Sequence, residues 1–479
     1  MEFAVNCREA NDSYQRSNFP GRSLFFYIPN FIVKGRAEMA PWRQRWSDST
    51  EKWWFAAALG TLLKWIVLGS GVGVLAGTAS AFFLKSLDYV TGVRAANPWL
   101  LFLLPLGGAL VSYLYSRYGG SSAKGNNLIL EQVHNASETV PLRMAPLVLF
   151  GTLITHLFGG SAGREGTAVQ MGGSLAEWFG RMLRVKPADR RILLICGISG
   201  GFGSIFGTPL AGTVFGLEVL AIGLISQEAL IPAFIASFTG NLTAASLWGV
   251  THLHYPIGEI PALSVPVLLK VVLASVLFGL AGVLFSELTH ALKKGYTRLF
   301  RNPVLKSAAG GVVIIILVYV LGTRDYLGLG LPLIEASFTG EVTPFAFLGK
   351  LVFTALTLGA GFQGGEVTPL FAIGATLGHS LSGLLHLYGP FLAALGFIAV
   401  FCGAANTPIA CFLMGIELFG GDGAVYFFIA CLVSYLFSGH TGIYTSQQIG
   451  ISKSPLWSFP EGTTLAQAKR HKKKDGGSA

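Results

Sequence analysis

The chain has 479 residues, 52% of them hydrophobic and only 12% charged, and its mean hydropathy is +0.58. Soluble domains carry roughly a quarter charged residues, so this balance excludes an ordinary soluble enzyme and points to an all-α polytopic integral membrane protein. The formal net charge of +10 gathers near the ends and in short loops. That is the pattern of flanks obeying the positive-inside rule and argues against nucleic acid as a partner.

Residues 1–52 read as a polar N-terminal tail. Phe25–Ile28 is too short and interrupted for a signal-peptide core. Met39 stands as an alternative start, which would make 1–38 an upstream extension. Apolar runs then follow from Trp54–Leu84 to Val425–Phe437. Several fall short of the ~20 residues that a full span needs, and Gly and Pro interrupt them. Gly supplies 62 residues, about twice the usual share, and permits close helix packing. Short, broken helices meeting inside a membrane mark the binding site in transporters.

The expected organisation is one transport domain over 53–450, built of two repeats (roughly 53–250 and 260–450), and a basic cytoplasmic tail over 451–479. Arg181, Arg184, Lys186, Arg190 and Arg191 form a basic loop, and Lys469–Lys474 a basic run that reads as a solvated end or a contact for anionic membrane lipid. Of the five cysteines, Cys7, Cys196, Cys402, Cys411 and Cys431, four lie in apolar runs without a C-x-x-C pair. They read as small packing residues, and the sequence calls for no metal and no cofactor.

The stretch Gly159–Gly173 places Arg164 and Glu165 among glycines inside an apolar context. It reads as an interruption at membrane depth that opens a new helix, whose free N–H groups attract anions. A carboxylate there competes with an anion for the same donors and can carry a proton.

The halves also repeat at an offset of about 200 residues. Thr208-Pro209 through Glu218 aligns with Thr407-Pro408 through Glu417, and Gly163-Arg164-Glu165-Gly166-Thr167 with Gly364-Gly365-Glu366-Val367-Thr368. Each half thus carries Gly-x-Glu-x-Thr, then Thr-Pro and a second Glu. Repeated halves with a site at their junction are a common transporter plan.

At these residues the sequence resembles the CLC family of anion channels and anion/proton antiporters. Gly163-Arg164-Glu165-Gly166 is similar to its Gly-Arg-Glu-Gly signature, Pro209–Gly212 with Glu218 to its next segment, and Tyr444 to its anion-binding tyrosine. The resemblance implies an inverted repeat of tilted and partly broken helices. It also implies a homodimer with one pathway per subunit. Three departures resemble the bacterial fluoride/proton antiporter branch instead of the chloride transporters. Ala123–Leu128 replaces Gly-Ser-Gly-Ile-Pro, Thr167 stands where proline is usual, and Gly364–Pro369 replaces Gly-x-Phe-x-Pro. Val219 follows Glu218 where chloride antiporters usually carry a proton-transferring glutamate.

The resemblance implies Glu165 as gate and proton carrier. It implies an anion site drawn from Gly125, Asn126, Asn127, Gly163, Gly166, Thr167, Glu366, Val367, Thr368 and Tyr444. The expected substrates are fluoride (or chloride) and protons, exchanged across a bacterial inner membrane by a multi-pass protein with cytoplasmic termini. Other readings stay open: Glu366 as a cap of its own helix, Asn126 and Asn127 as caps, and Lys124 as an anion attractor or a mouth residue. Glu218 and Glu417 read as structural helix contacts, because the pair is duplicated. Phe362, Phe371, Phe401 and Phe437 read as packing or as ring edges facing the anion. A hydrolase reading of the two G-x-S-x-G matches at Ser161 and Ser199 needs a strand-turn-helix elbow and a histidine partner, and neither is predicted.

Overall fold

The computed structural model describes residues 41–475 except 136–137, 253–254 and 457, with side chains described between Trp54 and Arg470. Cys7 and the alternative start at Met39 lie outside the described residues. The chain divides into two units, Met1–Ala58 and Leu59–Ala479. Of the first, only the opening turns of helix α1 (Pro41–Ala96) are described, and the site lies wholly within the second.

The helices follow as α2 (Leu104–Leu114), α3 (Asn126–His134), α4 (Met144–Leu157), α5 (Glu165–Met182), α6 (Pro187–Phe206), α7 (Pro209–Glu218) and α8 (Leu230–Leu242). The second half holds α9 (Val265–Leu299), α10 (Pro303–Leu321), α11 (Leu331–Thr339), α12 (Ala346–Gly359), α13 (Val367–Leu385), α14 (Gly389–Ala405), α15 (Pro408–Phe419) and α16 (Ala424–Phe437). The chain closes with α17 (Leu465–Asp475). Among the described residues the strands are β1 (Ala221–Ile222) and β2 (Gln448–Ile449), paired in parallel. The all-α expectation therefore holds.

Local chemistry sets the breaks. Prolines open α6, α7, α10 and α15, where their missing N–H costs nothing. Gly207 and Asn406 end α6 and α14 in the left-handed conformation, φ 75° and 59°. Each is followed at once by the Thr-Pro that starts the next helix of its repeat.

Among the described residues five helical stretches are long and apolar enough to cross a membrane, Trp54–Ala96, Pro98–His134, Gln227–Leu247, Val265–Leu299 and Pro303–Leu321. On α9, Leu269, Leu273, Leu280 and Leu284 recur on one face and are exposed. Such a stripe costs free energy in water and none in hydrocarbon. This is a multi-pass membrane protein. Its inner layer is α5, α6, α13 and α14, and α14 is buried from Pro390 to Ala405. Glycines allow the two inner crossings: a Cβ on Gly172 would strike the Gly197 carbonyl, and one on Gly374 the Gly396 carbonyl. These two crossings join repeat-related helix pairs, α5–α6 and α13–α14.

The segment read as a basic tail over 451–479 is docked in its first part. Leu465 and Ala468 are buried against Ile222 and Ile449. The Lys453 ammonium donates to Asn406 Oδ1, Tyr435 O at 2.7 Å and Ser438 Oγ at 2.9 Å. Two apolar side chains and one lysine thus dock a segment whose composition is otherwise that of a free end.

Candidate functional site: two glycine loops sharing one carboxylate

The two Gly-x-Glu-x-Thr loops meet backbone to backbone. Gly163 N–H donates to Gly365 O at 2.6 Å, and Gly365 N–H returns to Gly163 O at 2.8 Å. Only glycine fits: a Cβ on Gly365 would lie 2.8 Å from Gly166 N, and one on Gly163 would lie 2.8 Å from Glu165 Oε2 and from Pro369 Cδ. The repeat seen in the sequence is here a physical junction.

Glu165 opens α5 and is 1% exposed. Its carboxylate reaches across the junction to the first turn of α13. Oε2 accepts from Thr368 N–H at 3.0 Å and from Arg164 N–H at 3.1 Å, and Oε1 accepts from the Thr368 hydroxyl. Arg164 Nε stands 3.9 Å from Oε1. A helix N-terminus offers unpaired N–H groups and the positive end of the helix dipole, which together suit an anion. Thr368, at 1% exposure, adds a hydroxyl donor. The Glu165 carboxylate occupies this set.

Glu366 is the N-cap residue of α13; its side chain makes no capping bond to the turn that follows, and its own backbone N–H is the donor beside it. The charged groups acting on it are Lys293 and Glu165. Val367 beside it is buried. Tyr444 is 4% exposed and within electrostatic range of Glu366 and Glu165.

On the first-repeat side, α3 begins at Asn126 after Gly125, whose φ is 61°. Asn126 lies against Gly166, with Nδ2 3.0 Å from where a Cβ there would be. Its Oδ1 is buried without a hydrogen-bond partner. Asn127 Oδ1 accepts from Ser446 N–H at 2.9 Å and Thr445 Oγ1 at 3.3 Å, tying α3 to the segment that carries Tyr444. Thr167 is engaged elsewhere, its hydroxyl 2.7 Å from that of Thr152 on α4. Lys124 pairs with Glu131 at 2.9 Å with its side chain 47% exposed, as a mouth residue would be.

An aromatic column leads from Tyr444 toward α13. Tyr444 meets Phe215 edge-on at 6.3 Å, Phe215 stacks on Phe202 at 4.1 Å, and Phe401 meets Phe371 edge-on at 5.4 Å. Phe371 and Phe401 thus join the aromatic cluster around Tyr444, whereas Phe362 packs in a separate cluster with Leu104 and Ile314, and Phe437 is exposed. Beside Thr368 and Arg164 lies a cavity of about 30 Å³ that Phe206, Tyr255 and Phe371 also line, enough for one water-sized particle.

Glu218 and Glu417 bind reciprocally. Glu218 accepts from Ile409 N–H and Ala410 N–H at 3.1 and 2.9 Å, at the start of α15. Glu417 accepts from Leu210 N–H and Ala211 N–H at 2.9 and 2.8 Å, at the start of α7. Each carboxylate caps the helix of the other repeat.

Lys350, inside the apolar run Phe345–Leu358, escaped sequence reasoning. It is fully buried and donates to Ser161 Oγ at 2.9 Å, Gly328 O at 2.6 Å and Tyr326 O at 3.2 Å. A charge inside an apolar run was its available signal. It fixes the loop leading to Glu165 from behind. Ser161 also bonds Thr354 at 2.8 Å, and Ser199 lies within α6. Neither serine sits on a strand-turn-helix elbow.

A membrane protein of broken helices, with one carboxylate seated on the helix N-terminus of the other repeat, is what this geometry defines. The profile of the voltage gated chloride channel family matches residues 107–439, and the chain belongs to that family. It is 49% identical over 417 residues to a chloride/fluoride channel protein of Pseudomonas syringae pv. tomato, covering 85% of this chain and 91% of that one. It is 28% identical to a proton/chloride exchange transporter of Vibrio parahaemolyticus over 403 residues, 76% of this chain and 84% of the other. The crystal structure of a CLC-type fluoride/proton antiporter superposes with a TM-score of 0.79 at 39% identity, covering 81% of this chain and 98% of that one. The fold is therefore of the CLC type.

Proposed function

We propose that the protein is a fluoride/proton antiporter that exports fluoride across a bacterial inner membrane in exchange for protons. The observation that carries this reading is the Glu165 carboxylate seated on the Thr368 N–H and hydroxyl and the Arg164 N–H. Ionised, it fills the donor set. Protonated, it gives up charge-assisted bonds and yields the donors to an anion, so anion and proton use the site alternately. Fluoride is small, strongly hydrated and a strong acceptor, and needs short, strong donors to replace its water. A hydroxyl donor meets that need better than amides alone. The likeness to the structure of a CLC-type fluoride/proton antiporter favours fluoride. HF enters cells as a neutral weak acid and dissociates inside, so inward proton flow can drive the ion out again.

The anion site proper consists of Thr368, Arg164 N–H, Gly163, Gly166, Glu366, Val367 and Tyr444, with Gly125, Asn126 and Asn127 forming the approach from α3. Thr167 supports the loop through Thr152. The transport domain covers 53–450 with its two repeats inverted, the protein is a homodimer with one pathway per subunit, and both termini face the cytoplasm. The runner-up, a chloride-transporting relative, is suggested by the Vibrio exchanger. Anion efflux from proteoliposomes under an imposed pH gradient separates the two. Fluoride efflux driven by inward protons, with little chloride efflux, is the expected result. Chloride moving as fast as fluoride refutes the fluoride assignment.

A further inference from the structure

A second cavity lies away from the carboxylate junction. It measures about 730 Å³ and lies between the C-terminal end of α9, the segment Thr441–Thr445 and helix α17. Its lining is strongly basic. His290, Lys294 and Arg298 recur every four residues or so along one face of α9, with Lys293 beside them, and Lys469 and Arg470 enter from α17. The one carboxylate in the lining, Glu287, is taken by an ion pair with Lys469. Among the described residues Lys293, Lys294, Arg298 and Arg470 form no ion pair, and all four are exposed.

We propose that this cavity is a binding site for a phosphate-bearing anion. The positive-inside rule explains basic residues at helix ends, but not their convergence on one concave cavity from segments some 170 residues apart in sequence. Nor does it explain why the wall is fixed: α17 is held by buried Leu465 and Ala468 and by the Lys469–Glu287 pair, so its cations are presented rather than trailing free. Fluoride is too small to touch cations spread around such a volume. A phosphate group, with several oxygens, reaches more than one of them at once. Basic pockets at the ends of membrane helices take phospholipid headgroups, and a soluble polyphosphate offers the same chemistry. The wall segment Thr441–Thr445 includes Tyr444, so an occupant and the transport site share one structural element.

The test uses the full-length protein and two probes. In one arm, native mass spectrometry from mixed phosphatidylcholine/phosphatidylglycerol micelles counts retained phosphatidylglycerol. In the other, inorganic pyrophosphate is titrated calorimetrically into protein in phosphatidylcholine nanodiscs. The variant Lys294→Gln/Arg298→Gln/Arg470→Gln leaves Lys293, which acts on Glu366, in place. Removing one charge-assisted hydrogen bond weakens binding roughly tenfold, so this variant should release the probe, while Arg184→Gln/Lys186→Gln, outside the cavity, should keep it. Phosphatidylglycerol released only by the cavity variant identifies a lipid headgroup site. Saturable pyrophosphate heat that disappears only in that variant identifies a soluble phosphate site. Equal phosphatidylglycerol retention in both variants, with no saturable pyrophosphate heat in the wild type, overturns the proposal. Should the triple variant not fold, the wild type still decides: binding through exposed cations weakens steeply with salt, and salt-independent lipid retention, again without pyrophosphate heat, overturns it equally.

Discussion

Removing the Thr368 hydroxyl tests the donor set most directly. Thr368→Val keeps the branched shape and the backbone N–H that reaches Glu165 Oε2 at 3.0 Å, and deletes the O–H that reaches Oε1. On the proposed reading the same donors serve carboxylate and anion in the wild type, so a change in net transport mixes two effects. The comparison is therefore made in the Glu165→Gln background, where no charged side chain competes. There the fluoride site loses one charge-assisted hydrogen bond of about 1.5–3 kcal/mol, which corresponds to a roughly 10- to 150-fold weaker affinity. Fluoride titration of Glu165→Gln and Glu165→Gln/Thr368→Val, each checked for correct assembly by gel filtration, measures the difference. Chloride leak through the same proteins should change far less, because chloride is more easily dehydrated. Fluoride affinities agreeing within about threefold would remove the Thr368 hydroxyl from the anion site.

Glu165→Gln alone should abolish proton-coupled transport, since an amide carries no transferable proton; normal fluoride-driven proton flux in folded protein would contradict the gate assignment. Glu366→Gln should slow coupled transport while leaving the melting temperature close to wild type, because the side chain makes no capping bond; unchanged fluoride flux would take Glu366 out of the mechanism. Glu218→Ala and Glu417→Ala should each destabilise by about 1–2 kcal/mol or more, since each uncaps a helix start, read by thermal melting in detergent, and no shift for either would deny the reciprocal cap a stabilising role. Removal of residues 1–38 should leave transport intact, whereas truncation after Pro460 should lower the melting temperature, because it exposes the Leu465 docking site at about 2–5 kcal/mol for a buried leucine; an unchanged melting temperature would show that docking to be energetically idle.

Much of the site was legible because its residues are rare in such a chain. Carboxylates amid glycine and apolar residues announce themselves, and their recurrence at a fixed offset identified Glu165, Glu366, Glu218 and Glu417 together. Their partners were not legible. That Glu165 reaches Thr368 as well as its own loop, or that Glu218 caps α15, depends on how segments about 200 residues apart are folded against each other. Periodicity carries no such information. The aromatic column was hidden for a different reason. In a chain with 35 phenylalanines, nothing in the sequence separates Phe371 and Phe401 from Phe362 and Phe437. The docked tail escaped because Leu465 and Ala468 are too small an apolar addition to alter its composition.

The two pairs of repeat-related glutamates separate structure from function by symmetry. Glu218 and Glu417 do the same thing twice: each accepts two backbone N–H groups from the opposite repeat. An interaction preserved under the repeat serves what both halves share, which is holding the paired helices together. Glu165 and Glu366 also occupy matching positions, beside glycines that bond each other reciprocally, yet here the symmetry is broken. Glu165 crosses to the other repeat and takes the α13 donors. Glu366 makes no corresponding bond on α5, where the Thr167 hydroxyl pairs with Thr152. The same frame thus presents one occupied helix N-terminus and one carboxyl that does not cross to the other repeat. A symmetric pair of seated carboxylates would close both halves with no group left to exchange. In the proposed mechanism, breaking the symmetry leaves a single donor set for which a carboxylate and an anion compete. A second ionisable group, within electrostatic range of the first and of Tyr444, is then free to respond when the occupant changes.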